Sequence, residues 1–194
     1  LVSFRSPGLL AAARNEGIRL SQGEIIAFLD SDDSWYPDKL SRCLAIMEPD
    51  VDLVAHGLNY VKNGRFLKTQ MAGPKEQATY EKLLYIRNCI LTSSVMVRKK
   101  ILQEVSGFHE DPLDVVSRSS YSKGNDQDTH PIHIGAEDYD LWLRASACLP
   151  IGLIEKPYVV KYGGHADQRS RQFPVMDRFR IQALSKILES GILN

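Results

Sequence analysis

Three carboxylates fall within four residues at Asp30-Ser31-Asp32-Asp33, directly after the apolar run Glu24-Ile25-Ile26-Ala27-Phe28-Leu29. Six residues bounded by Gly and Asp read as a buried strand rather than a helix. Successive side chains on a strand alternate faces, so Asp30 and Asp32 are expected on one side. Two carboxylates aimed together repel unless a cation lies between them or one keeps its proton. In open α/β sheets ligands collect at the carboxyl ends of strands. Mg²⁺ and Mn²⁺ often take only one or two protein carboxylates and complete their shell with water and substrate phosphate. The spacing therefore suits a metal–diphosphate clamp. The competing reading is a strand-to-helix turn in which Asp33 or Ser34 caps the next helix.

A second acidic group, Glu137, Asp138 and Asp140 in Ala136-Glu137-Asp138-Tyr139-Asp140-Leu141-Trp142, opens a helical pattern. The helix dipole alone favours acids there. The chemical alternative is a carboxylate held at a cleft edge as general base, its pKa brought towards the working pH by partial burial. His165, in Tyr162-Gly163-Gly164-His165, follows paired glycines that permit close backbone approach to a ligand. A solvated loop histidine is the plainer reading. The other histidines (His56, His109, His130, His133) show no HxH or HExxH spacing. Arg14-Asn15 suits an anion, or simply a helix end that welcomes a cation.

Alternating elements must position these groups. Leu9, Leu10, Ala13, Gly17 and Leu20 share a helical face, between Pro7-Gly8 and Gln22-Gly23. A helix is predicted over 34–48, with Pro37 in its first turn and Leu40, Leu44 and Met47 inward. Residues 51–61 read as a strand, and Asn63-Gly64 as a hairpin turn into 65–71. Further helices are expected over 76–86, 99–105 and 137–147, and strands over 93–97 and 151–162. The stretch 109–135 lacks periodicity and reads as a long loop. An amphipathic helix over about 175–188 (Met176, Phe179, Ala183, Leu184, Ile187) is expected to pack on the core rather than to touch a membrane or partner. The alternation gives one α/β domain over 1–194 with a mostly parallel or mixed sheet.

Composition narrows the function. With 24 Lys plus Arg against 24 Asp plus Glu, the net charge is zero, which disfavours a nucleic-acid binder or a basic membrane-surface protein. No apolar run approaches the roughly 18–20 residues needed to span a bilayer. Three widely spaced cysteines (Cys43, Cys89, Cys148) and no CxxC argue against a disulfide scaffold or thiolate zinc site, and fit a reducing compartment.

Four blocks in order resemble family 2 glycosyltransferases of the GT-A fold: Ala12-Ala13-Arg14-Asn15-Glu16-Gly17; Gly23 to Leu40, with Asp30-Ser31-Asp32-Asp33 inside it; Thr92-Ser93-Ser94-Val95-Met96-Val97-Arg98-Lys99 leading to Gly107-Phe108; and Glu137-Asp138-Tyr139-Asp140-Leu141-Trp142. The resemblance spans residues 12 to about 170. It implies a GT-A mixed sheet flanked by helices, with the first βαβ part of the family pattern missing before Ala12. It also implies an inverting, metal-dependent transfer from a nucleotide-sugar, a UDP-sugar first among the options, to a saccharide or lipid-linked acceptor in bacterial cell-surface polysaccharide or glycolipid synthesis. The site implied is Asp30 and Asp32, with Asp33 sharing, on a Mg²⁺ or Mn²⁺ ion; Asp138 as base, with Glu137 its neighbour and fallback; Arg14, Asn15, Ser31 and Asp30 near the nucleotide; and His165 near metal or phosphate. The implied location is cytoplasmic, peripheral to the inner face of the membrane. Gln168 to Arg171 fits a Gln-x-x-Arg pattern of processive synthases, but Gln172 stands where a Trp is usual, so that role is not carried over.

Two other readings compete. A haloacid-dehalogenase-like phosphatase would use Asp30 as nucleophile and Asp32 as acid, but leaves Ala12 to Gly17 unexplained. A non-catalytic remnant, or glycan-binding relic, would keep the fold without turnover.

Overall fold

A computed structural model describes residues 9–47, 51–72, 88–110, 115–116, 132–133, 136–163 and 177–191. The helix expected over 76–86, His165, the Gln168 to Arg171 segment and most of the 109–135 loop lie outside the described residues. Along the chain run α1 (Leu10–Leu20), β1 (Ile25–Ala27), β2 (Asp33–Trp35), α2 (Lys39–Leu44), β3 (Leu53–Lys62) and β4 (Arg65–Gln70). A 3-10 turn (Thr92–Ser94), β5 (Met96–Arg98), α3 (Lys99–Glu104), β6 (Val115–Val116) and β7 (Ile132–His133) follow. The last elements are α4 (Glu137–Cys148), β8 (Ile151–Gly163) and α5 (Asp177–Glu189).

The main sheet has the order β1-β5-β3-β8-β2, with β4 added to β3. Among the described residues only β3 and β8 pair in parallel; β1–β5, β3–β5, β3–β4 and β2–β8 are antiparallel. The sheet is thus mixed, and the mostly parallel option falls. β3 is its centre, buried continuously from Leu53 to Leu58 because strands and helices cover it on every side there. Asn63 and Gly64 both take positive φ (50° and 74°), the two-residue turn that their types demand.

Three expectations are corrected. First, Asp33–Trp35 does not start a helix. Its backbone pairs with Val159–Lys161 of β8, and a ladder with a waiting partner outweighs local propensity. The helix begins only at Lys39, after the turn that contains Pro37. Second, α2 is rotated from the expected face: Lys39, Cys43 and Met47 are buried, whereas Leu40 and Leu44 are 44% and 49% exposed. Lys39 can turn inward because its Nζ donates to the Ser93 carbonyl (3.0 Å) and stands 3.7 Å from the centre of the Trp35 ring. Third, the inner face of α1 carries Ala11, Ala12 and Ile18, while Gly17 and Leu20 are exposed. Arg14 and Asn15 lie half-buried on that helix because they have partners inside.

The core centres on Trp142, fully buried, which meets Phe28 and Phe108 edge-on with ring centres 6.2 and 6.3 Å away. These rings come from the segment between β1 and the acidic turn, from the turn after α3 and from α4, so they fix the platform on which the site is built. Trp142→Ala should cost about 3–5 kcal/mol in unfolding free energy, read from the denaturant midpoint. α5 adds Ala183 and Ile187 to this core, as expected of its inward face.

Candidate active site

Arg14 organises the site. Reaching inward from α1, its guanidinium donates through Nη2 to Asp30 Oδ1 and through Nη1 to Glu137 Oε1, both at 2.9 Å. It also lies 5.2 Å from the centre of the Phe108 ring, and its side chain is only 11% exposed. One cation thereby ties the acidic turn to the amino-terminal end of α4. Asn15 next to it clasps the Phe108 backbone, donating from Nδ2 to the carbonyl (2.8 Å) and accepting the N–H at Oδ1 (2.9 Å). Its Nδ2 donates to Glu110 as well, at 2.6 Å. Gly107 has φ +63°, and a Cβ there would fall 2.7 Å from Asn15 Oδ1, so the clasp requires glycine on two counts. Both side chains of the pair near the expected nucleotide site are thus engaged by the protein itself.

The acidic residues converge, although not by strand alternation. β1 ends at Ala27, and Asp30 to Asp33 form a turn closed by the Asp33 N–H on the Asp30 carbonyl at 3.0 Å. Side-chain oxygens of Asp30, Asp32 and Asp33 lie within 4.8 Å of one another. The turn rests on Ser93, whose hydroxyl accepts the Asp30 N–H (3.0 Å) and whose carbonyl accepts from Trp35 Nε1 and Lys39 Nζ, each at 3.0 Å. Asp33 is buried, and its carboxylate oxygens meet no partner at full hydrogen-bond geometry among the described residues, the Ser93 hydroxyl making only a looser contact. Burial raises its pKa and the neighbouring Asp32 and Asp30 add to that, while the Ser93 hydroxyl and Lys161 favour the charged form. A buried carboxylate so weakly hydrogen-bonded beside two more acids is a donor set that a hard divalent cation satisfies. Ser31 is exposed in the same turn.

Glu137 and Asp138 open α4. Glu137 is held by Arg14. Asp138 Oδ1 accepts the Tyr139 N–H at 2.7 Å, and its Oδ2 faces Asn88 Nδ2 at 3.4 Å. Burial pushes the Asp138 carboxyl above the ordinary carboxylate range and the Asp30 charge adds to this; Arg14, Tyr139 N–H and Asn88 oppose it. Asp140 serves a different purpose. It binds Arg144 (2.6 Å) and His109 (3.2 Å), and Arg144 also donates to the Val105 and Gly107 carbonyls. Burial pushes Asp140 up, but His109 and Arg144 outweigh it and hold the group below its usual range. This assembly braces the turn that Asn15 clasps.

The structure therefore brings together Arg14, Asp30, Asp32, Asp33, Glu137 and Asp138; His165 falls outside the described residues. Sequence reasoning missed Asn88, which sits outside any periodic segment, and the supporting roles of Ser93 and Lys39. Arg14→Ala would leave Asp30 and Glu137 facing each other with their shared cation gone. We expect a loss of about 3 kcal/mol in stability, measured by urea unfolding, with Glu137→Gln in the same background restoring part of it.

Residues 4–106 match the family model described as Glycosyl transferase family 2. The chain belongs to this family. The match covers Arg14, the acidic turn and Ser93, and ends before Glu137 and Asp138. Among relatives of this glycosyltransferase family, the amylovoran biosynthesis glycosyltransferase AmsB of Erwinia amylovora is 31% identical over 103 residues, 49% of this chain and 34% of its own length. The UDP-Glc:alpha-D-GlcNAc-diphosphoundecaprenol beta-1,3-glucosyltransferase WfgD of Escherichia coli is 34% identical over 98 residues, 50% of this chain and 38% of its own. The chain spans little more than a third of the length of these relatives. The mannosyltransferase PcManGT of Pyrobaculum calidifontis, solved with GDP-Man and Mn²⁺, superposes with a TM-score of 0.52 at 18% identity, over 93% of this chain and 44% of that one. The fold is GT-A-like: a mixed sheet flanked by helices. Family membership sets aside the phosphatase reading. No helix among the described residues is long and apolar enough to cross a membrane.

Proposed function

We propose that this chain carries the catalytic part of an inverting glycosyltransferase that moves a sugar from a nucleotide-sugar to an acceptor hydroxyl. The observation that carries the reading is the Arg14 bridge, which seats a cluster of three carboxylates near the half-buried Asp138. Asp30, Asp32 and Asp33 would hold Mg²⁺ or Mn²⁺, which when bound neutralises charge on the departing diphosphate. Asp138 takes the proton from the acceptor oxygen as that oxygen bonds to the anomeric carbon. The bond from that carbon to the diphosphate breaks in the same displacement, on the opposite face, and the nucleoside diphosphate leaves. Glu137, neutralised by Arg14, orients that guanidinium rather than competing for the proton. Asn88 holds Asp138 at one oxygen and the Tyr139 N–H at the other, which limits its rotation.

A UDP-sugar is the donor we favour and a lipid-linked saccharide the acceptor, supported by the similarity to WfgD, a UDP-Glc:alpha-D-GlcNAc-diphosphoundecaprenol beta-1,3-glucosyltransferase. Such an acceptor places the reaction at the cytoplasmic face of a membrane, in polysaccharide or glycolipid assembly. The test is a calorimetric titration of the chain with UDP, GDP, CDP and dTDP, each with and without Mn²⁺. Mn²⁺-dependent binding of one nucleotide supports the reading; turnover of no nucleotide-sugar by a full-length relative carrying this same site would sink it.

A further inference from the structure

The β3–β4 hairpin does not belong to the site just described, yet it presents an unusual surface. Phe66 and Leu67 at its end are 61% and 53% exposed. They are neighbours on one strand and so point to opposite faces. Both faces are open, every residue from Arg65 to Thr69 being exposed, and among the described residues β4 pairs with β3 alone. Lys62, Arg65 and Lys68 flank this pair, and no acidic residue occurs anywhere from Leu53 to Ala72. Lys62 and Arg65 are directly opposite across the strands, a like-charge pair that costs stability in water. Edge lysines alone would be explained as guards against strand pairing. They do not explain an aromatic and a leucine between them, nor cations set against each other.

We propose that the tip of this hairpin, residues 61–68, docks edge-on into the surface of an anionic phospholipid bilayer. Edge-on insertion lets Phe66 and Leu67 enter the acyl boundary together from opposite faces of the ribbon. Lys62, Arg65 and Lys68 then lie at headgroup level, where anionic phosphates relieve their mutual repulsion and attract each of them. The register places this contact usefully: Lys68 is opposite Tyr60, Tyr60 is opposite Lys161, and Lys161 is opposite Asp33. One cross-strand row thus runs from the bilayer contact to the acidic turn. This proposal does not depend on the catalytic reading, and its test needs no turnover.

The test is co-sedimentation of the 194-residue chain with vesicles of pure phosphatidylcholine and of phosphatidylcholine with about 30% phosphatidylglycerol. Partitioning onto the anionic vesicles should be about tenfold stronger and should weaken as salt rises. The double variants Phe66→Ser/Leu67→Ser and Lys62→Glu/Arg65→Glu should each remove most of that gain, with melting temperatures unchanged. Phe66→Trp provides a second readout, a blue shift of its emission on anionic vesicles only. Equal partitioning on both vesicle types overturns the proposal, as does unaltered binding by both double variants. Sedimentation showing that Phe66→Ser/Leu67→Ser converts a dimer to a monomer, without a change in vesicle binding, would instead assign the hairpin to a second copy of the chain.

Discussion

Asp138→Asn should lower kcat by about 10³-fold while leaving KM for the donor within about twofold. Amide and carboxylate share shape, so the replacement side chain fits the same place in α4 and remains near Asn88. What is lost is the ability to accept a proton from the acceptor hydroxyl. The stability of the variant separates this from a structural role. In the folded chain burial raises the Asp138 pKa above its unfolded value, so over the interval between the two values the native state binds more protons than the unfolded one. Stability contributed by this group therefore falls as pH rises through that interval, and ionised Asp138 is a cost above it. Removing the charge should leave the unfolding free energy at pH 7 equal or higher, and flatten its pH slope. The acid limb of kcat/KM, where the parent gains activity as Asp138 ionises, should vanish in the residual rate. A variant that is inactive and also several kcal/mol less stable would contradict the assignment.

Asp33→Asn should abolish Mn²⁺-dependent binding of the donor nucleotide, by about 100-fold or more in affinity, and Asp32→Ala should weaken it less. The ranking follows from the environment. Asp32 is exposed and already solvated, whereas the Asp33 oxygens are buried with only a loose contact to the Ser93 hydroxyl among the described residues. A cation gains most from the carboxylate that water serves least. The same argument makes Asp33→Asn tolerable to the fold, since it removes a buried charge that Ser93 and Lys161 offset only in part. Titration calorimetry with Mn²⁺ and nucleotide, alongside thermal melting, checks both halves. Retained metal-dependent binding in Asp33→Asn would place the ion elsewhere.

Much of this site is legible in the sequence, because its residues lie in short local patterns. The acidic turn, the Glu137-Asp138 pair and Arg14-Asn15 are each adjacent in the chain, and the family resemblance puts them in one protein. The pattern does not say how they meet. Arg14 joins residues 16 and 123 positions away, and no periodicity encodes such a bridge. The predicted strands and helices within the described residues mostly match those observed, and the errors share a cause. Apolarity alone turns Leu40 and Leu44 inward on paper. A lysine with a carbonyl and an indole to receive it takes that face instead. Asp33–Trp35 reads as a helix entry because its partner strand lies more than 120 residues downstream.

The one parallel pairing in the sheet has a consequence for how the chain is made. β3 meets β4 across a two-residue turn and β5 some forty residues later, but its other edge belongs to β8. β8 lies about a hundred positions further on, and at roughly 5–20 residues per second of synthesis it emerges about 5–20 s after β3. During that wait one edge of the apolar Leu53-Val54-Ala55 run has no partner strand. Holdase binding and aggregation of nascent chains should therefore concentrate on this strand until β8 leaves the ribosome, and truncations that stop before Ile151 should be the insoluble ones.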